Sequence, residues 1–328
     1  MHHLAKILTV LITLAVAFAL GELALRTFAP LPVHGGLYRD QDGTIVHVAQ
    51  DRFQLRPSID VTHTASEFTK RVQTNALGYR RTGNESDTPD TVFIGDSFTF
   101  GHGVADDETF ASIYCRRTRS ACQNLGRSGT TTFDQSELLA HALGRMPPPQ
   151  TVVLVMLAAC WVESSGNDLG DNYRQWHARQ STGAGTQEAE PPASLIRRVQ
   201  RLLGGMETAK RIMLLASGTL KRGIYRCSEE REIEAAAAAT GQALAGLEQL
   251  SRRYGFRMRL FVIHPYQELD GAHRTTEAHL RRVIPKDFDP VFTATEFEPG
   301  HYYAYDGHFN AAGHARLAEV IERSVRPQ

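Results

Sequence analysis

Uncharged, mostly apolar residues run without a break from position 7 to position 20, and Leu23, Ala24 and Leu25 carry the run past Glu22. A helix needs about 20 such residues to cross a bilayer. Two fates are open for the segment. Its length favours an uncleaved anchor over residues 1–26, and Ala17-Phe18-Ala19 offers the small-x-small pattern of a signal peptide cut near Ala19. Either one sends the remainder of the chain across a membrane. Lys6, the single cation ahead of the run, points the amino terminus to the cytoplasm.

Residues 27–90 read as a stem. Pro30, Pro32, Gly35, Gly36, Gly43 and Pro57 punctuate its first half, where residues 44–48 have the pattern of a short strand. Residues 61–90 are polar and close in a loop at 81–89. From position 91 the pattern becomes regular. Residues 91–94 are a short buried strand ended by Gly95. Asp106-Asp107-Glu108 opens a helical stretch, where the dipole favours acids, and Phe110, Ile113 and Tyr114 recur at its spacing. Residues 123–125 form a second strand closed by Gly126. Residues 133–143 form a helix with Leu138, Leu139, Ala142 and Leu143 on one face. Residues 151–157 are almost wholly apolar, as in a parallel strand covered on both faces. Strand, helix, strand, helix, strand predicts βαβ units and a parallel sheet with helices on both sides.

Further on, residues 178–194 have the composition of an exposed loop, and residues 195–222 read as a helix with one basic side. A long helix over 229–254 stops at Gly255, a strand follows at 258–263, and 266–300 reads as a mixed connection. Asn310 caps a final helix that turns Leu317, Val320 and Ile321 inward. The regular domain thus spans 91–328, with 170–227 as a candidate lid insertion.

Composition narrows the function. Of 328 residues 42% are hydrophobic and 22% charged, an ordinary globular mix. Lys plus Arg and Asp plus Glu both count 36, which removes the electrostatic case for a nucleic-acid partner. The four cysteines agree with an oxidising compartment. Cys115 and Cys122 are near neighbours and Cys160 and Cys227 are left over, although four cysteines allow three connectivities. No Cys/His spacing suggests zinc.

The candidate chemistry is acyl transfer, which needs a nucleophile, a base, a group that orients the base, and oxyanion donors. Ser97 lies just past the carboxyl end of the 91–94 strand, where open α/β sheets place their ligands. The alternative reading of Gly95-Asp96-Ser97 is a capped turn. The turn lacks the lysine of a phosphate-binding loop. His308 is the candidate base and Asp306 its orienter. Asp96, adjacent to Ser97, is a poorer one, because neighbouring side chains diverge. The Ser97 N–H, the Gly126 N–H and the Asn167 amide are candidate oxyanion donors, each following one of three successive strands. His301 and His314 are rivals to His308 but lack an Asp at similar spacing before them.

Gly95-Asp96-Ser97, Gly126, Asn167 and His308 resemble the four blocks of the SGNH hydrolase superfamily, the GDSL esterases and lipases. Asn75-Ala76-Leu77-Gly78-Tyr79-Arg80 and the anchor end Gly21-Glu22-Leu23-Ala24-Leu25-Arg26 look like those of its membrane-anchored members. The resemblance covers residues 72–324 and the anchor. It implies a flavodoxin-like three-layer α/β/α fold. It implies Ser97, His308 and Asp306 as a triad, with Ser97, Gly126 and Asn167 as the oxyanion hole. No metal or organic cofactor is implied. Two departures stand out. Asp306-Gly307-His308 is one residue shorter than the usual Asp-x-x-His, a spacing that occurs in some polysaccharide O-acetylating relatives. Residues 158–165 also lengthen the run before Asn167.

The expected activity is that of a serine esterase on acylated carbohydrate or lipid, outside the cytoplasm. The chain would be held in the cytoplasmic membrane by one helix, or released after cleavage. Acetyl transfer to a cell-surface polysaccharide uses the same residues and stays open as an alternative. A membrane-tethered binding or assembly factor on a degenerate hydrolase scaffold is an alternative of another class.

Overall fold

The structure, a computed structural model, describes residues 2–28, 36–51, 54–163, 166–181, 206–209, 211–212 and 225–325. Gly35–Gly185 and Tyr225–Gln328 form one compact unit, and Met1–His34 with Thr186–Ile224 form another. In the latter, α1 (His2–Phe28) is a continuous helix, and its Thr9–Phe28 portion is long and apolar enough to cross a membrane. Glu22, the acid near its end, accepts the N–H groups of Glu207 at 2.6 Å and Thr208 at 3.0 Å.

The main unit is built on a five-stranded parallel sheet. Its strands are β4 (Thr91–Gly95), β5 (Cys122–Asn124), β6 (Thr151–Leu157), β7 (Arg257–Ile263) and β8 (Val291–Phe292), in the spatial order β5-β4-β6-β7-β8. Counted within this sheet the order is 2-1-3-4-5, the flavodoxin-like winding, whose switch point lies beside its first strand. β4 and β6 are buried at every position, because helices cover both faces. Val92, Ile94, Val152, Leu154 and Met156 meet α4 (Thr132–Leu143), α6 (Glu230–Tyr254) and α7 (His273–Val283). The alternate residues Phe93, Val153 and Val155 meet α3 (Phe110–Thr118) and α8 (Ala311–Val325). The strand period of two thus divides one sheet between two cores, and the expected three-layer α/β/α architecture is the one observed.

A second, three-stranded antiparallel sheet comes from the stretch read as a stem: β1 (Leu37–Arg39), β2 (Asp60–Thr64) and β3 (Thr69–Gln73). The β2–β3 hairpin was hidden in sequence because its inward positions include a histidine: Val61, His63 and Ala65 are buried beside polar residues. Residues 44–48 are not a strand, and Ile45 makes only an isolated bridge to Arg39. Asp106–Glu108 is a separate 3₁₀ turn. The helix proper starts after Thr109, whose hydroxyl accepts the Ser112 N–H.

The mixed connection 266–300 contains α7 and β8. The buried face of α7 is His273, Thr276, His279 and Leu280, so an apolar periodicity could not reveal it. Likewise α5 (Asp168–Ser181) is a polar helix that runs into the span read as loop and lid. It is held inward by Leu169 and by Asn172, whose amide bonds the Thr132 N–H and the Thr132 and Thr240 hydroxyls. The rest of the lid, loop and basic-helix expectations falls largely on 182–205, 210 and 213–224, outside the described residues.

Two disulfides join Cys115 to Cys122 and Cys160 to Cys227. The second joins residues 67 positions apart. Replacing Cys160 and Cys227 together by serine is expected to lower unfolding stability by up to about 4 kcal/mol, the loop-closure estimate for that span. Urea unfolding of the full chain with and without the pair measures it, and an unchanged midpoint would contradict it.

Candidate active site

Gly95 ends β4 with φ +152°, and a Cβ there would lie 2.6 Å from the Val155 carbonyl oxygen and 2.1 Å from the Thr99 hydroxyl. Only glycine lets the chain leave the sheet so close to β6. The buried Asp96 carboxylate then accepts the Phe98 N–H at 2.8 Å and starts the single turn α2 (Ser97–Phe100), which Gly101 ends in the left-handed region. Ser97 is its first residue and is partly exposed, while Phe98, Thr99 and Phe100 are buried. The nucleophile candidate is therefore presented by a turn that is otherwise part of the core.

Ser97 Oγ lies 2.7 Å from His308 Nε2, and His308 Nδ1 lies 2.6 Å from Asp306 Oδ1. An ionised carboxylate can only accept, so Nδ1 carries the proton and Nε2 is left to accept from the serine. Burial alone would raise the Asp306 carboxyl. The N–H groups of His102 and His308 outweigh it and hold the carboxyl well below the usual range. The two glycine-separated residues that the sequence proposed as base and orienter thus meet the serine across a separation of about 210 positions, as one hydrogen-bonded line.

The loop carrying them is pinned from several sides. The Tyr303 N–H donates to the His308 carbonyl at 2.8 Å, Tyr303 Oη donates to the Gly103 carbonyl at 2.8 Å, and Phe309 is fully buried against Phe297. Glu67, between β2 and β3, accepts three consecutive N–H groups, of Ala304 at 2.9 Å, Tyr305 at 3.0 Å and Asp306 at 2.7 Å. Arg80, wholly buried, bonds Asp106 at 2.6 Å and the carbonyls of Phe100 and Val104 at 3.2 and 2.9 Å, which ties down the far end of the Ser97 turn. Neither Glu67 nor His102 carries a local sequence signal. Arg80 stood inside the stretch that resembles the anchored SGNH proteins, and its role is seen only in the fold.

The rivals and partners fare differently. His314 is fully buried and its Nδ1 accepts the Phe110 N–H at 3.2 Å. Burial, then the charges of Arg80 and His308, depress its pKa to about 3. It is a neutral structural residue of α8 that accepts the first N–H of α3. His301 Nδ1 accepts the Glu298 N–H at 2.9 Å within its own turn.

Two of the three expected oxyanion donors, Gly126 and Asn167, have hydrogen-bond partners of their own. The Gly126 N–H donates to Asn124 Oδ1 at 2.9 Å, and a Cβ on Gly126 would lie 2.3 Å from the Phe100 nitrogen. Its glycine is required by the close approach of α2. Asn167 Oδ1 accepts the Gly170 N–H at 2.8 Å and its Nδ2 donates to the Trp161 carbonyl at 3.3 Å, so the residue caps α5. Beside it, Asp168 accepts the Leu157 N–H at 2.8 Å. Burial, then the Asp96 charge, pushes its carboxyl upward. Asn167→Ala is accordingly expected to cost about 1 kcal/mol of stability, as a lost cap, with little change in kcat. A fall in kcat of about 10²–10³ would instead return Asn167 to the oxyanion hole.

His102, Asp306 and His308 each offer a ligand-type atom within 4.8 Å of the others, a grouping a divalent cation could use. Hydrogen bonds at 2.6 and 3.2 Å already engage the Asp306 carboxylate with both imidazoles. A separate cavity of about 600 Å³, lined by Asp90, Thr91, Gln150, Thr151 and Arg257, opens at the amino ends of β4, β6 and β7, the opposite sheet edge from Ser97.

No family model and no curated protein matches the chain. Among solved structures, it is similar to one described as a lipolytic protein of the G-D-S-L family from Desulfitobacterium hafniense (13% identity, 72% of this chain and 98% of that chain, TM-score 0.39). A member of the lipolytic G-D-S-L family from Veillonella parvula is similar at 11% identity (72% of this chain, 97% of that one, TM-score 0.40). A carbohydrate esterase whose active site is described as displaying divergent catalytic and non-catalytic binding functions is similar at 11% identity, over 90% of this chain and 84% of that one, with a TM-score of 0.36.

Proposed function

We propose that this chain is a serine esterase of the SGNH type. Ser97 is the nucleophile, His308 the general base and Asp306 the group that holds the imidazole. The observation that carries the reading is the hydrogen-bonded line Ser97–His308–Asp306 at 2.7 and 2.6 Å. In the first step Ser97 Oγ bonds to the acyl carbon while His308 Nε2 takes its proton. His308 then returns that proton to the departing alcohol oxygen, leaving an acyl-serine. Water, deprotonated by the same His308, frees the acid. The Ser97 N–H is the first oxyanion donor. The Gly126 N–H can join only by leaving Asn124, whereas the Asn167 amide carries two N–H groups, of which the Trp161 carbonyl takes one.

The substrate class is an acylated carbohydrate or lipid outside the cytoplasm. The support is the apolar helix α1 and the two disulfides, which fit a membrane-anchored, exported chain. The short Asp306-Gly307-His308 spacing favours a second reading, acyl transfer to a sugar hydroxyl, by resemblance to polysaccharide O-acetylating proteins.

The test is to treat the purified full chain in detergent with a fluorophosphonate and locate the adduct by mass spectrometry, alongside p-nitrophenyl acetate hydrolysis. An adduct on Ser97 with turnover supports the esterase. An adduct without turnover moves acyl transfer ahead. No adduct and no turnover would refute the nucleophile assignment and leave a binding protein on this fold.

A further inference from the structure

Asp306 does not serve His308 alone. Its Oδ1 faces His308 Nδ1 at 2.6 Å, and its Oδ2 faces Nε2 of a second histidine, His102, at 3.2 Å. The His102 ring is buried, lies 4.3 Å between centroids from the His308 ring, and is walled by Phe68 at 5.3 Å and His63 at 4.7 Å. Its own backbone N–H donates to the Ser97 carbonyl at 3.0 Å, so the turn that carries the nucleophile also carries this ring.

We infer that His102 is a positioning residue of the proposed esterase: a neutral second donor that fixes the Asp306 carboxylate and divides its charge between two imidazoles.

The protonation follows from elementary chemistry. A carboxylate held ionised by its donors accepts at both oxygens and donates at neither, so each ring nitrogen facing Asp306 carries hydrogen. Burial, partly opposed by the Asp306 hydrogen bond, keeps His102 below the usual histidine value, so it donates as a neutral imidazole. Glu67 holds the Asp306 backbone, which leaves the side-chain torsion as the remaining freedom, and the His102 N–H removes it. The catalytic step needs both effects. The carboxylate must stay aimed at Nδ1 while His308 gains a proton from Ser97, and its charge sets how readily His308 accepts that proton.

Removing the donor therefore has two separable consequences. The carboxylate loses a charge-assisted hydrogen bond, which lowers kcat by about 10- to 100-fold. The full Asp306 charge then falls on His308, which stabilises its imidazolium and moves the acidic limb of the kcat/KM profile to higher pH. The charged or titratable groups around this pair include Asp306, Arg80, His63, Glu67, Tyr303 and His314. All of them are retained in the variants below, so the shift belongs to the lost donor.

This inference rests on the esterase reading, and the experiment separates the two. The full chain in detergent is compared with His102→Phe, which keeps a ring between Phe68 and His308, and with His102→Gln, whose Nε2 amide can donate from near the same point. Fluorophosphonate labelling of Ser97 and p-nitrophenyl acetate kinetics are followed across pH, with melting temperature as the control for folding. The expected result is a low kcat, an unchanged KM and an upward-shifted acidic limb in His102→Phe, with rate and limb restored toward wild type in His102→Gln. Equal losses in both variants with no movement of the limb would overturn the positioning role, as would wild-type rates in His102→Phe. A wild-type chain with neither adduct nor turnover would strike at the esterase reading itself.

Discussion

Ser97→Ala is expected to lower kcat on p-nitrophenyl acetate by about 10⁴–10⁶-fold and to abolish the fluorophosphonate adduct, the scale on which serine hydrolases lose rate with their nucleophile. Ser97 Oγ lies 2.7 Å from His308 Nε2, and His308 directs the proton on Nδ1 to Asp306 on its other side. His308→Ala should fall by a comparable factor, because a serine with no base within reach stays a weak nucleophile. The double variant should be no worse than either single one, since residues acting as a unit are not additive. The kinetics of the four proteins, each checked for folding, decide the matter. Single variants that retain more than a hundredth of wild-type turnover would place the chemistry elsewhere.

The second large effect is on stability. Arg80→Met is expected to cost about 3–5 kcal/mol, the loss seen when one partner of a buried charged pair is removed. Arg80 is fully buried. Its Nε bonds Asp106 at 2.6 Å, and its two terminal nitrogens bond the carbonyls of Phe100 and Val104 at 3.2 and 2.9 Å, over the Phe100 ring at 4.8 Å. Truncation strands the Asp106 carboxylate, which burial already pushes upward against the pull of Arg80, together with carbonyls that water cannot reach. Lysine is a poor replacement, because one ammonium cannot present the planar fork that meets these acceptors at once. Because the carbonyls belong to the turn carrying Ser97, the same change should depress kcat in the molecules that still fold. Chemical denaturation at neutral pH reads the stability. A loss below about 1 kcal/mol would mean that the buried charge is not held by these contacts.

The interior strands could be read from the sequence because each is a short apolar run bounded by a breaker. Residues 91–94, 151–157 and 258–263 are covered on both faces over most of their length and are apolar apart from Thr91, Thr151 and Arg259, and such runs need no tertiary knowledge to recognise. The elements that escaped are those whose buried faces are polar: β2 with His63, α5 with Asn172, and α7 with His273, Thr276 and His279. Asn172 is held inside by bonds to Thr132 and Thr240 on other segments, and local pattern carries no trace of a distant segment.

The site divides along the same line. By itself the sequence determined an open α/β sheet, an apolar amino-terminal helix, a serine just past the first core strand, and an aspartate and a histidine two residues apart at 306 and 308. Those are short-range facts, set by strand period, turn chemistry and spacing. Only the tertiary structure decided that Glu67 anchors the Asp306 loop, that Arg80 ties the Ser97 turn, and that His102 takes the second oxygen of Asp306. It also showed the Gly126 N–H bonded to Asn124 and the Asn167 amide bonded to Gly170 and Trp161. The bonds from Glu67 and His102 to Asp306 join positions 239 and 204 apart and depend on which surfaces the fold brings within hydrogen-bond reach, and no pattern along the chain encodes that distance.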